Sequence, residues 1–346
     1  MIKFRGLPRP VYDETFTSWI SRCGNAKHSR LPSLLDVRVS ESISGGRFSH
    51  EDPDFDFESA YVLSAVRLIG VDLARIKCGF SPNTKWVLPW HQRKHYCPDC
   101  LIEDIRDGRN PSWRKSWCYA FSSHCQFHKR QLVEFSGKLS VDKAWDAFVE
   151  YVNFNNTSSE TSSKWASVAP TKLRYLLHLK SLRLAGVGPS SCCKKDNILS
   201  TFDCFKILTQ IFLQARTTRT PPGAARHLFF SGRLTINRSI FGYPDVLEIG
   251  ALETNAHERM CGVILSGFIL SFYSKKDLEL AGGIYSYTGY HFPEDKYRLG
   301  FLAFDLASQQ DYLYVKSLFD KIPSSILNDI KRFIEGIDAA NLRRFC

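Results

Sequence analysis

No run of 18 apolar residues occurs in the 346-residue chain, so nothing in it reads as a membrane-spanning helix. The longest apolar stretch, Cys261 to Phe272, is interrupted by Gly262, Ser266, Gly267 and Ser271 and reads as a buried helix at most. The opening Met1-Ile2-Lys3-Phe4-Arg5-Gly6-Leu7-Pro8 is too short and too broken for a leader. Three catalytic signatures are also missing. Without Gly-x-x-x-x-Gly-Lys-Ser/Thr there is no nucleotide loop of that kind. Without His-Glu-x-x-His or Gly-x-Ser-x-Gly, two common hydrolase frameworks are excluded. Clean alternation of apolar and polar residues is scarce, so little sheet is expected, and no internal repeat is visible. Acidic residues are nearly absent from 171–238, which hold 12 Lys/Arg against 2 Asp/Glu.

What is present describes a folded, basic protein. Hydrophobic residues make up 44% and aromatics 13%, enough for real cores. The formal charge of +11 favours a polyanionic partner, of which nucleic acid is the usual one. The 11 cysteines, an odd number in a chain of ordinary size, fit a reducing compartment such as the cytoplasm, with thiols free or metal-bound. The positive charge is concentrated in 171–238. There Lys172, Arg174, Lys180, Arg183, Lys194, Lys195, Arg216 and Arg219 are candidates for contact with a phosphate backbone; the competing reading is a solvated face or a surface for acidic proteins.

The strongest local signal is Cys97-Pro98-Asp99-Cys100, followed after 24 residues by Cys125-Gln126-Phe127-His128. Two pairs of soft ligands, each with two residues between, have the spacing of a structural zinc site. Each pair fits one tight knuckle, and the loop between lets them meet around one ion. Three thiolates and one imidazole complete a tetrahedron, leaving no position for water or substrate, so one structural zinc ion per chain is expected. Cys118 and His124 compete for the same role, and the regular pairs are preferred over them. His91 and His95 are expected at the surface or just behind the ligands. Cys192, Cys193 and Cys204 lack a fourth ligand at sensible spacing and read as ordinary thiols.

Element by element, the chain reads as mainly α and multi-domain. Asp13 is expected to cap a helix from Glu14 to about Ala26, with Phe16, Trp19, Ile20 and Cys23 as its buried stripe. Helices near 58–69 and 71–76, turned at Gly70, suggest a helix-turn-helix-like domain over 1–84. The zinc module should span 85–135. A helix over 141–152 and a Ser/Asn/Thr-rich linker at 153–163 fill 136–163, and a helical C-terminal domain follows over 164–346. Within it, helices are expected near 171–184, 202–215, 245–256, 260–273, 275–280 and 326–337, and 299–307 and 312–319 are apolar and periodic.

The order of these features resembles the TniQ family. The resemblance is carried by Gly6-Leu7-Pro8-Arg9-Pro10, by Asp13-Glu14-Thr15-Phe16-Thr17-Ser18-Trp19-Ile20-Ser21-Arg22, by Tyr96-Cys97-Pro98-Asp99-Cys100-Leu101-Ile102-Glu103-Asp104, and by Trp113 to Trp117 before Cys125-Gln126-Phe127-His128-Lys129-Arg130-Gln131-Leu132. It covers residues 6 to about 135. Relatives often carry further cysteines after the second knuckle, whereas Val133-Glu134-Phe135-Ser136-Gly137-Lys138 has none. The resemblance implies a non-enzymatic target-selection adaptor for DNA transposition, which recruits an AAA+ ATPase and through it the transposase. In one mode it sits as a dimer on a CRISPR effector complex with its guide RNA; in the other it binds target DNA itself. Coupling to the effector is the preferred expectation, because Asp72, Arg75 and Lys77 make a poor base-reading face. A zinc-dependent nuclease is the enzyme alternative, and it would need an open metal position.

Overall fold

A computed structural model of the chain describes residues 7–25, 52–80, 85–157, 168–186, 200–218, 220–227, 235–237, 240–279, 281, 295–303, 306 and 308–345. It is mainly helical and divides into two units, residues 1–165 and 166–346.

The first unit is built on α1 (Phe16–Asn25). Its stripe Phe16, Trp19, Ile20 and Cys23 is wholly buried, as the three- and four-residue spacing demands. The stripe packs in one cluster with Phe57, Tyr61, Val62, Ala65, Val66, Ile76 and Phe80. These come from α2 (Ala60–Ile69) and α3 (Leu73–Phe80) and the segment before them. Ser59 caps α2 by accepting from the Val62 amide, and Gly70 ends it at φ +64, where a side chain would be strained. The third helix therefore starts two residues later than the expected Val71. Asp72 receives the Ala74 amide at 3.2 Å, and Ile76 and Phe80 face inward.

Asp13 does not cap α1. It sits at φ +63, and its carboxylate and carbonyl accept the amides of Ser116 and Lys115. The Thr15 hydroxyl takes the cap, accepting from the Ser18 amide at 3.4 Å. Glu14 is buried instead and receives Arg22 at 2.7 and 2.8 Å.

The rest of this unit holds α4 (Pro98–Arg106), α5 (Lys143–Thr157) and the two-residue antiparallel pair β1 (His95–Tyr96) and β2 (Val133–Glu134). α5 runs on through 153–157, where a linker was expected; residues 158–163 of that stretch lie outside the described residues. Its core is polar as well as aromatic. Arg93 is buried between Asp52 and Asp54, and Asp54 also accepts the Thr17 amide and hydroxyl at 2.8 Å. Lys143 is buried with its ammonium 3.8 Å from the Trp90 ring centre and 4.8 Å from that of Trp113. Burial pulls its pKa down.

The second unit centres on α10, whose range is Ala256–Ile269. Elements leading to it are α6 (Val168–Leu184), α7 (Thr201–Phe212), α8 (Ala224–His227) and α9 (Tyr243–Leu252). A short parallel pair, β3 (Arg216–Thr217) with β4 (Thr235–Ile236), lies among them. α10 is buried almost all round, as a helix enclosed by others must be, and it packs on α6, α7 and α8. Asn255 and Glu258 form its capping box, so the turn from α9 is only Glu253 to Asn255. Further helices among the described residues are α11 (Lys296–Ala303), α12 (Gln309–Phe319) and α13 (Ser324–Phe345), and residues 275–279 are also helical. α11 and α13 cross at glycines: a Cβ on Gly300 would lie 2.0 Å from the Phe333 carbonyl oxygen, and one on Gly336 2.0 Å from that of Tyr297. Among the described residues no helix is long and apolar enough to cross a membrane.

Candidate metal centre

Cys97, Cys100, Cys125 and His128 meet at one point, their ligand atoms all within 4.8 Å of one another. The first pair is set by α4. Cys97 is its N-cap residue, Pro98 fills the first turn without needing an amide partner, and Cys100 follows in the same turn. Both sulfurs therefore lie at the positive end of the helix, which favours thiolate. The second pair sits on a closed knuckle. The Cys125 amide donates to the Arg130 carbonyl at 2.8 Å, and the Lys129 amide returns to the Cys125 carbonyl at 2.9 Å. Lys129 takes φ +54 to make that return. Arg130 then grips Asp99 with two 3.0 Å bonds, tying the second knuckle to α4.

The spacing suits a tetrahedral ion. With sulfur at about 2.3 Å and nitrogen at about 2.1 Å from zinc, tetrahedral edges come to roughly 3.8 Å between sulfurs and 3.6 Å from sulfur to nitrogen. His128 Nδ1 lies 3.5, 3.3 and 3.6 Å from the sulfurs of Cys97, Cys100 and Cys125, and the Cys100 and Cys125 sulfurs are 3.5 Å apart. Three buried thiols this close cannot all ionise unaided. Hydrogen bonding to Cys125 and Cys97, with burial, pushes the Cys100 thiol well up. The Cys125 thiolate, receiving those bonds and the His128 amide, is held far below the ordinary range. A divalent cation resolves the conflict by letting all three lose their protons. The donor set thus fits zinc, which would cross-link the start of α4 to the second knuckle and supply no open position for chemistry.

His128 is oriented from its other side. Its Nε2 lies 2.9 Å from the Glu103 carboxylate, which leaves Nδ1 as the ligand atom. The neighbouring Asp104 points inward and is fully buried. It accepts Arg114 at 2.9 and 3.0 Å and Ser112 through amide and hydroxyl at 3.0 and 2.6 Å. Neither carboxylate has a ligand spacing that marks its role in the sequence, although both lie in the Tyr96-to-Asp104 stretch. The competing residues stay apart from the cluster. Cys118 is buried and donates to the Arg114 carbonyl, and the His124 ring bonds Ser123 at 2.9 Å. His95, expected at the surface or near the ligands, is buried in β1, where the cross-strand register places it opposite Glu134. Cys204 is buried in α7; Cys192 and Cys193 lie outside the described residues.

The basic candidates spread over several elements. Lys172, Arg174, Lys180 and Arg183 lie on α6, and Arg216 on β3. Arg183 and Arg216 are exposed, while Lys180 pairs with Asp277 at 2.6 Å. Lys194, Lys195 and Arg219 lie outside the described residues. Arg226, in the same basic stretch, is structural. Buried, it donates to the carbonyls of Leu213, Gly250 and Glu253 at 3.0, 2.7 and 2.7 Å.

Residues 6–132 match the TniQ family model. That span contains α1 to α4 and all four metal ligands. No curated protein and no solved structure matches the chain.

Proposed function

We propose that this chain is a non-enzymatic target-selection adaptor for DNA transposition, which couples an RNA-guided CRISPR effector complex to an AAA+ ATPase and so to the transposase. The observation that carries the reading is the TniQ match over residues 6–132, which encloses a metal cluster of closed donor count. A closed cluster suits a rigid docking module and not a hydrolytic centre, which argues against the nuclease alternative. Of the basic candidates in 171–238, Arg183 and Arg216 are exposed, and this reading sets them against guide RNA or target DNA. A homodimer is the expected form on the effector.

Direct reading of target DNA is the second possibility. α2, Gly70 and α3 do form two helices joined by a tight turn, with Arg75 and Lys77 exposed on α3. Lys77, however, is paired with Glu58, and the Asp72 carboxylate is occupied by the Ala74 amide. Few donors remain to read bases. Copurification decides between the two. The adaptor reading expects the tagged chain to retain the effector–guide complex and to bind random duplex only weakly. Tight, sequence-specific binding of one duplex by the isolated chain, without effector, would replace it with direct reading.

A further inference from the structure

α5 carries two apolar faces, and the first unit's core accounts for only one. Ala144 and Ala147 are buried, and the Ala147 carbonyl accepts the Tyr96 hydroxyl from β1. Trp145, Phe148, Val149 and Val152 recur at spacings of three, four and seven on another side. Trp145 is 46% and Val149 38% exposed, and the Trp145 and Phe148 rings touch at 5.9 Å. Trp145 and Val149 are exposed and Phe148 and Val152 half-buried, so the four make one contiguous, partly solvent-facing row rather than scattered single residues.

The flank of this row has one sign. Asp142 and Asp146 stand one helical turn apart beside Trp145, with Glu150 a turn further on. Asp142 also accepts the Ser21 hydroxyl and Glu150 the Ser136 amide and hydroxyl, so both keep their charge but are held in place, and Asp146 is the exposed carboxylate of the three. The helix N-terminus gives Asp142 and Asp146 a local reason to be there, but not the outward Trp145 and Val149. Partial burial, and then Asp142, push the Asp146 carboxyl upward, so a cation brought alongside would relieve it. This acidic edge stands out on a chain of net charge +11.

We propose that this face of α5 is a docking site for a short amphipathic helix of a partner protein, one with lysines or arginines flanking its apolar residues. The apolar row seats the partner's apolar stripe, and Asp142, Asp146 and Glu150 select its basic flank. Its size favours a peptide-like partner over a second copy. At about 150–250 Å² for a whole aromatic side chain, the exposed row offers on the order of 300 Å², well short of the roughly 800 Å² per partner of a stable interface. The proposal rests on the adaptor reading only for the expectation that protein partners exist.

The test uses the full zinc-loaded chain and three fluorescein-labelled 18-residue peptides: a patterned Leu/Lys amphipathic helix, its Leu/Glu counterpart, and a scrambled Leu/Lys sequence. Anisotropy titration should show the patterned Leu/Lys helix binding at least tenfold tighter than either control. Trp145→Ser with Val149→Ser should cost at least tenfold with thermal unfolding unchanged, and Asp146→Lys alone should shift preference toward the Leu/Glu helix. Equal binding of patterned and scrambled peptides, or binding unmoved by these variants, overturns the proposal. So does sedimentation showing self-association of the wild type that the double variant abolishes, since the face would then belong to a second copy. None of these outcomes bears on copurification with the effector, so the adaptor reading stands or falls separately.

Discussion

Asp104→Ala should be among the most damaging single changes in the first unit, although Asp104 touches no metal ligand. Its carboxylate is fully buried and receives both Arg114 contacts, the Ser112 amide and hydroxyl, and Arg109 at 3.2 Å. Arg114 is itself almost wholly buried. Removing the anion strands a buried cation, which costs about 3–5 kcal/mol, more than the ~1 kcal/mol net of an ordinary hydrogen bond. The assay is urea unfolding followed by tryptophan fluorescence with zinc in excess. All seven tryptophans lie at or before residue 165, so the signal reports the first unit alone. The midpoint should fall with little change in slope. Asp104→Leu combined with Arg114→Met should recover most of the loss, because no charge is then left unpaired. A loss below about 1 kcal/mol for Asp104→Ala, or a double variant no better than the single, would refute the reasoning.

The adjacent Glu103 is exposed, and Glu103→Ala should leave unfolding nearly unchanged while weakening zinc retention against a chelator by roughly tenfold, as loss of an outer partner of a ligating histidine does. Lys143→Met should stay within about 1 kcal/mol of wild type at pH 7, since the lost contact with two indole rings offsets relief of a buried charge. Burial lowers the folded-state pKa of Lys143, so its cost is full below that value and disappears as pH rises toward the ordinary 10.5. The wild type should therefore gain on Lys143→Met in alkaline denaturation series. Gly336→Ala should destabilise the second unit by about 1–3 kcal/mol, read by circular dichroism, because its methyl would meet the Tyr297 backbone oxygen on α11.

The parts legible in the sequence were those governed by short-range pattern. The α1 stripe followed from spacing alone, and the meeting of Cys97, Cys100, Cys125 and His128 followed from two matching knuckles. What stayed hidden depends on partners far along the chain. Asp13 looks like a cap until Ser116, 103 residues away, takes its carboxylate. The paired roles of Glu103 and Asp104 require knowing that one faces the second knuckle and the other the interior. The basic stretch 171–238 read as one surface, yet Arg226 is consumed by three carbonyls and Lys180 by Asp277, and composition cannot separate a helix-capping arginine from a solvated one. The run of Asn and Ser after Val152 suggested a linker, but α5 continues to Thr157.

The most direct test of the adaptor account is to map insertions in a reconstituted transposition reaction containing transposase, AAA+ ATPase and effector–guide complex, with and without this chain. The account predicts insertions clustered beside the guide-matched site with the wild-type chain. It predicts loss of that clustering when the chain is omitted or when Cys125→Ser removes a metal ligand, with no DNA cleavage by the chain alone. An insertion pattern that is the same with and without the chain would contradict it.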